Sequence, residues 1–386
     1  MVFIFIFLSL FEILFSFTLF KTIGKKLGFK KLLFLNLIPL CLLLAFLLFN
    51  RQFYLEKYTG NAYTYFAFTF YLILFVPKLI YVFTILIFSP LFLLSRKFFK
   101  LKHFSALLSI IVFVFLIYGV FWGSSKITVT NKVVKIKNLP KSFNNIKIVQ
   151  LSDLHLGSLS NKFVKTIVDT VNYYEPDIIV FTGDIVNLYC SEIYKVDSVL
   201  FNLRAKIGKY VVLGNHDYGD YLRWEDSIGR LNNFECVVSN IERIGFKLLR
   251  NEHIYIFRGN DSVAIVGVEN WGKPPFKQYG DIRKASKGVS RFCIVLNHDP
   301  TYWNYEIAKV LNESFTFSGH THAFQFGFCF GDKYWSPVSW RYDNWWGLDS
   351  INSAFIYVSR GIGTIGYVGR ICMYPEVVVI TLVSND

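Results

Sequence analysis

Acidic residues are almost missing from the front third of this chain: residues 1–122 hold only Glu12 and Glu56, against twelve lysines and arginines. A stretch so poor in negative charge and so rich in Phe, Leu and Ile does not make an ordinary water-facing surface. Cysteine is scarce too. Cys41, Cys190, Cys236, Cys293, Cys329 and Cys372 include no CxxC pair, which speaks against a zinc ribbon or a disulfide framework, and they read as small buried apolar side chains. Internal repeats are absent, as are low-complexity segments beyond the apolar runs.

What the front has is hydrophobicity. The 386-residue chain is 53% hydrophobic, with a net charge of +14 and a mean hydropathy of +0.39. Four stretches, Val2–Phe20, Leu32–Phe49, Ala62–Leu94 and Phe104–Trp122, are long enough for the ~20 residues that a bilayer crossing takes. The first lacks a charged leader and a small-residue cleavage site, so it reads as a span and not a signal peptide. The third is overlong and carries Pro77-Lys78 at its middle. It reads as one kinked, tilted span, because its halves are too short to cross separately. Lys78 reads as a lysine reaching an interface or a water pocket, with a functional intramembrane charge as the alternative.

The basic residues flank the apolar runs, so they mark membrane orientation and not nucleic-acid binding. Lys21, Lys25, Lys26, Lys30 and Lys31 in the first loop, with Arg96, Lys97, Lys100 and Lys102 in the third, outnumber Arg51 and Lys57 in the second. Loops one and three are then cytoplasmic, and both termini lie outside. Lys126, Lys132, Lys135, Lys137 and Lys141 pull the other way. The expectation is a multi-pass protein of the cell membrane, with the lipid bilayer as a partner and the C-terminal domain extracytoplasmic.

Composition changes near residue 123. Ile127–Thr130 and Val133–Ile136 alternate like an edge strand within a linker, 123–144. From Ile146 a pattern of strand, polar loop and helix repeats. Ile146–Leu151 runs into Asp153-Leu154-His155, Ile178–Thr182 into Gly183-Asp184, and Tyr210–Leu213 into Gly214-Asn215-His216-Asp217. Phe292–Leu296 runs into Asn297-His298-Asp299, and Phe315–Phe317 into Gly319-His320-Thr321-His322. Lys162–Tyr174 and Glu192–Arg204 have helical periodicity. Ligands gather past the carboxyl ends of strands in open α/β sheets. Five of the seven histidines lie there, interleaved with Asp153, Asp184 and Asn215. Imidazole with carboxylate and amide oxygen suits manganese, iron or zinc.

Taken in order, Asp153-x-His155, Gly183-Asp184, Gly214-Asn215-His216-Asp217, the lone His298 and Gly319-His320-Thr321-His322 resemble the five-motif set of the calcineurin-like metallophosphoesterases over about 145–386. Trp335-Ser336-Pro337, Val358-Ser359-Arg360-Gly361, Tyr374-Pro375-Glu376 and the multi-span front are similar to its membrane-associated bacterial branch. The resemblance implies an α/β fold: a four-layer α/β/β/α sandwich at 145–386, behind a helical transmembrane region of about four spans at 1–122. It implies two divalent metal ions, manganese first, with iron and zinc as alternatives. Asp153, His155 and His322 would hold one, Asn215, His298 and His320 the other, and Asp184 would bridge them. A hydroxide shared by two such ions attacks phosphorus in line. His216 is then placed to donate a proton or hydrogen bond to the leaving oxygen, with Asp217 fixing its tautomer.

Arg360 reads either as a clamp on a substrate phosphate or as an ordinary ion-pair residue. In His322-Ala323-Phe324-Gln325 a phenylalanine stands where the family has small residues, and it would narrow the substrate mouth. Trp303, Trp335, Trp340, Tyr342, Trp345 and Trp346 read as packing on the sheet or as a lipid-facing rim. The expected function is a membrane-anchored dinuclear-metal phosphoesterase acting on a phosphate ester or pyrophosphate of a lipid-linked or membrane-proximal substrate. Two alternatives stay open. Some relatives in this branch cleave the pyrophosphate of UDP-diacylglucosamine in lipid A synthesis, which needs a cytoplasm-facing site. The other is a non-catalytic metal-binding membrane interaction protein, against which the complete ligand set argues. The sequence carries no sign of oligomeric state.

Overall fold

The computed structural model of the chain describes residues 2–23, 28–53, 62–94, 98–222, 224–331 and 333–385. Lys25, Lys26, Lys57, Arg96 and Lys97, which entered the loop charge count, lie outside the described residues. The chain divides into two compact units. One is helical, made of the front of the chain to Phe121 together with Gly366–Gly369; the other holds Trp122–Ile365 and Arg370–Asp386.

The helical unit contains Val2–Ile23, Phe29–Phe53, Ala62–Leu94 and Phe98–Phe121. Among the described residues, three segments are long and apolar enough to cross a membrane: Phe29–Phe49, Tyr63–Pro90 and Lys100–Ser125. This corrects four expected spans to about three. The stretch Val2–Phe20 lies in the helix Val2–Ile23. Ala62–Leu94 is one helix with Pro77 and Pro90 inside it. Phe11, Phe15, Leu40, Tyr71, Phe75, Val82 and Ile85 form the core of the unit, while Phe7, Phe66, Ile87 and Ile110 on its outside are more than half exposed. Lys78 Nζ lies 2.9 Å from Oε2 of the fully buried Glu12, and a charge buried among apolar helices needs such a partner.

The α/β unit is built on two six-stranded sheets. The first runs β1 (Thr128–Ile136), β14 (Glu376–Ser384), β2 (Ile146–Leu151), β3 (Ile178–Phe181), β4 (Gly208–Val211) and β5 (Lys247–Leu248) in spatial order. The second runs β12 (Gly347–Ile351), β13 (Ser353–Val358), β9 (Glu313–Ser318), β8 (Cys293–Leu296), β7 (Asp261–Gly267) and β6 (Glu252–Arg258), and a short ribbon pairs β10 (Phe328–Phe330) with β11 (Lys333–Trp335). Their central strands are fully buried apolar runs, as sheets covered on both faces require.

The two-residue alternation of each strand divides these side chains between layers. Ile148, Ile178, Val180 and Val212 of the first sheet meet Ile265, Ile294, Leu296, Phe315 and Phe317 of the second. Val149, Ile179, Phe181 and Val211 face the other way, onto Val164, Ile167 and Val168 of helix Asn161–Tyr173 and Val237 and Ile241 of helix Ser227–Arg243. On the far side of the second sheet, Val266, Val295 and Ile356 pack on Ile282, Trp303 and Ile307. The result is the expected four-layer α/β/β/α sandwich. Each fully buried Val or Ile contributes about 1.5–3 kcal/mol.

Three expectations fail locally. Glu192–Arg204 is not one helix but a 3-10 stretch, Cys190–Lys195, followed by a single turn, Asp197–Leu200. The Glu192 carboxylate is buried and accepts backbone N–H bonds from Gly157, Asn187, Leu188 and Tyr189, which pins the segment's start into a tight loop. Trp303 is fully buried whereas Trp340 is 81% exposed, so the tryptophans share no common role. Four of the six cysteines pair: Cys190 with Cys236 and Cys329 with Cys372, at Cα separations of 5.8 and 5.9 Å, within the usual disulfide range.

Candidate metal centre

The five polar loops meet beyond the carboxyl ends of β2, β3, β4, β8 and β9. Their backbone takes unusual conformations to aim side chains at one point. Asp153, His155, Asp184, His320 and His322 all have positive φ, from 43° to 70°, which costs non-glycine residues of order 1 kcal/mol or more each. Neighbouring loops hold them there. Asp153 N–H donates to Gly183 O at 3.0 Å, His155 N–H to Asp184 O at 3.1 Å, and Gly319 N–H to His298 O at 2.9 Å. The motif glycines are required by this crowding. A Cβ on Gly214 would lie 2.2 Å from Asp184 Oδ1, and one on Gly319 would lie 1.9 Å from Ser152 Oγ.

Two groups of ligating atoms result, each within 4.8 Å: Asp153, His155, Asp184 and His322, and Asp184, His298 and His320. The Asp184 carboxylate is common to both. Its Oδ2 lies 3.5 Å from His155 Nε2 and 3.3 Å from His298 Nε2. Asn215 Oδ1 lies 3.0 Å from His298 Nε2, and Asn215 Nδ2 donates to Tyr221 OH at 2.8 Å. The amide oxygen is thereby turned inward. All seven residues proposed as ligands therefore stand together.

The donor set fits cations. His155 Nε2 and His322 Nε2 face each other at 3.0 Å, and both rings are pressed toward the neutral form. Burial pulls His155 down to about 3 and His320 down to about 4, and it holds His322 well below its ordinary value. Neutral imidazoles offer lone pairs, the form a metal takes. Burial also lifts Asp153 to about 7. At His298 burial works downward, but the adjacent Asp184 charge outweighs it and lifts the ring to about 10. A cluster of buried carboxylates and converging ring nitrogens is what a dinuclear site needs, and a costly arrangement otherwise.

Two sequence assignments change and one is decided. Asp217 does not touch the His216 ring. Its Oδ2 accepts the N–H groups of Asp184 and Gly214, and its Oδ1 those of Ile185 and Val186, at 2.9 to 3.2 Å. The tautomer of His216 is set instead by Asn187 O, 2.7 Å from Nδ1. Asp217 is thus a clamp on the two loops that carry Asp184 and Asn215. Of the two readings of Arg360, the ion pair is the one seen: its Nη2 pairs with Glu376 at 3.2 Å, outside the two ligand groups. Phe324 is 62% exposed; a phenylalanine beside the histidines is instead Phe276, edge-on to His320 at 4.9 Å.

Residues that sequence reasoning missed include Arg370, Tyr342 and Asp299. Arg370 is fully buried and donates to the carbonyls of Gly363, Met373 and Arg360, with Nη2 3.3 Å from His322 Nδ1. Tyr342 OH lies 3.0 Å from His320 Nε2, and Asp299 Oδ2 lies 3.4 Å from it. His298 was legible, but its orienting contact, Nδ1 to Thr182 O at 2.7 Å, was not.

A family model for calcineurin-like phosphoesterases matches residues 146–324. An uncharacterised metallophosphoesterase of Bacillus subtilis is 30% identical over 269 residues, covering 67% of this chain and 87% of that protein. This chain belongs to the calcineurin-like metallophosphoesterases. A UDP-2,3-diacylglucosamine pyrophosphatase of Chlamydia trachomatis is 26% identical over 296 residues, covering 62% of the chain and 85% of that protein. A zebrafish (Danio rerio) transmembrane protein with a metallophosphoesterase domain is 29% identical over 227 residues and 56% of the chain. The present chain spans about half the length of that relative, 49%. Membership makes this chain a metal-dependent hydrolase.

Proposed function

We propose that this metallophosphoesterase is anchored in the cell membrane by its multi-pass helical front and hydrolyses a phosphate ester or pyrophosphate of a lipid-linked or membrane-proximal substrate. The observation that carries the reading is the single Asp184 carboxylate shared by two groups of buried ligands. Asp153, His155 and His322 would hold one divalent ion, Asn215, His298 and His320 the other, with manganese the first candidate. Such a pair supplies an activated water and neutralises phosphoryl oxygens.

The chain's own groups do the rest. Asn187 O holds Nδ1–H of His216, which leaves Nε2 to serve a leaving oxygen. Tyr221 keeps the Asn215 oxygen turned inward, and its ring packs on His216 at 4.6 Å. Asp217 fixes both loops. The full-length protein in detergent should hydrolyse bis-p-nitrophenyl phosphate with manganese and stop with chelator. Undiminished turnover after metal stripping would sink the reading.

Two disulfides in the hydrolase unit support an extracytoplasmic domain, because such bonds persist in oxidising compartments. The charge asymmetry of the short loops points the same way. The Chlamydia relatives name a second substrate, UDP-2,3-diacylglucosamine, which calls for a cytoplasmic site. A C-terminal alkaline phosphatase fusion should be active and a C-terminal green fluorescent fusion dark. The reverse result would move the UDP-linked lipid to first place.

A further inference from the structure

A groove of about 780 Å³ opens in the α/β unit along the edge strand β1, and none of the clustered histidines or aspartates lines it. Lys126, Lys132 and Arg360 face it, together with the rings of Tyr334, Trp346 and Tyr374, and no carboxylate side chain is among its walls. The cations rest on aromatic faces. Lys126 Nζ lies 4.4 Å from the Tyr374 ring centre, and the Arg360 guanidinium lies 4.7 Å from Trp346 and 5.7 Å from Tyr334.

Arg360 is the informative residue. It is only 4% exposed, and its Nε has no hydrogen-bond partner. The acid behind it, Glu376, is already supplied with donors. Its Oε1 accepts from Thr130 Oγ1 at 2.5 Å and from Trp346 Nε1 and Tyr357 OH at 3.1 Å, and its Oε2 accepts from Arg360 N–H at 2.9 Å. Arg360 Nη2 donates to Glu376 Oε1 at 3.2 Å and to Thr128 Oγ1 at 3.1 Å, so this guanidinium keeps one buried N–H, at Nε, short of an acceptor. Such a donor is costly to leave unmet, and guanidinium matches phosphate geometry.

We propose that this groove is a second anion site, separate from the metal centre, which binds a phosphate group carried on an organic body that lies against Trp346 and Tyr374. The phosphate has two sources: a membrane lipid headgroup or a free phosphoester. Both meet the same three cations and aromatic wall.

Binding is measured by calorimetry on the full chain in detergent, with EDTA present so that the metal centre contributes nothing. The probes are inorganic phosphate, dihexanoyl phosphatidic acid and dihexanoyl phosphatidylcholine. Phosphatidic acid should bind, and Lys126→Glu with Lys132→Glu, both exposed, should weaken it about tenfold or more. Manganese-dependent turnover of bis-p-nitrophenyl phosphate should stay unchanged in that variant. If phosphatidic acid outcompetes inorganic phosphate, the ligand is a lipid headgroup; if they bind equally, the aromatic wall recognises no organic body and that part of the proposal falls. Absence of binding by all three probes overturns the proposal, as does binding that the double variant leaves untouched.

Discussion

Asp217→Asn separates two accounts of the same carboxylate. The four N–H groups that Asp217 accepts come from Asp184, Ile185, Val186 and Gly214, two on each oxygen. An asparagine keeps one oxygen and turns an NH2 group toward the other two donors. Both are then unmet in a site that is fully buried, at about 1–3 kcal/mol each. A loss of about 4 kcal/mol corresponds to roughly 8–16 °C in Tm for a domain of this size. One of the two pairs includes the N–H of Asp184 itself, so the shared carboxylate should move as well. A displacement of ~1 Å in a reacting site costs about 10² in rate. Differential scanning fluorimetry and turnover of bis-p-nitrophenyl phosphate read the two effects on one preparation. If Asp217 merely oriented His216, the variant would keep its Tm and lose only rate. That pattern would refute the clamp.

Three further outcomes follow from the same geometry. Asp184→Ala should lose metal content by mass spectrometry along with activity, whereas His216→Ala should keep its metals and lose about 10²–10⁴ in rate. An emptied site in the second variant would make His216 a ligand. Alkylation of the denatured, unreduced protein should label Cys41 and Cys293 only, and all six cysteines after reduction; labelling of all six before reduction would remove both disulfides from the native chain. Glu12→Gln should lower the Tm of the detergent-solubilised protein by leaving Lys78 unpaired, at a cost of about 3–5 kcal/mol, and adding Lys78→Met should recover most of it; no recovery would mean the pair is not what holds those helices.

The proposed ligands could be found in the sequence because metal chemistry restricts residue type, and because open sheets collect ligands at strand ends. Asp153, His155, Asp184, Asn215, His298, His320 and His322 meet both conditions. Their glycine neighbours carry a second legible signal: Gly183, Gly214 and Gly319 sit where a Cβ would collide with the next loop. Asp217 was misread because adjacency in sequence suggested contact with His216. At a strand end, consecutive side chains diverge, and this one turns under the loop toward backbone donors that no sequence pattern marks.

The two readings of Arg360 could not be separated, and the cysteine pairing could not be read, for a different reason: their partners are remote. Glu376 pairs with Arg360 across a loop of the chain, and Cys190 and Cys329 find partners 46 and 43 residues on. Separations of that size leave no periodic trace, since contact is decided by which strands become neighbours. The sheet order itself supplies the explanation. β14, the last strand, inserts between β1 and β2, so the tail closes the first sheet and brings Glu376 beside Thr128 and Thr130. The wall of the second anion site and the buried Arg360 are therefore consequences of where the final strand lands. Truncation before Glu376 would remove both while leaving every proposed metal ligand in the sequence.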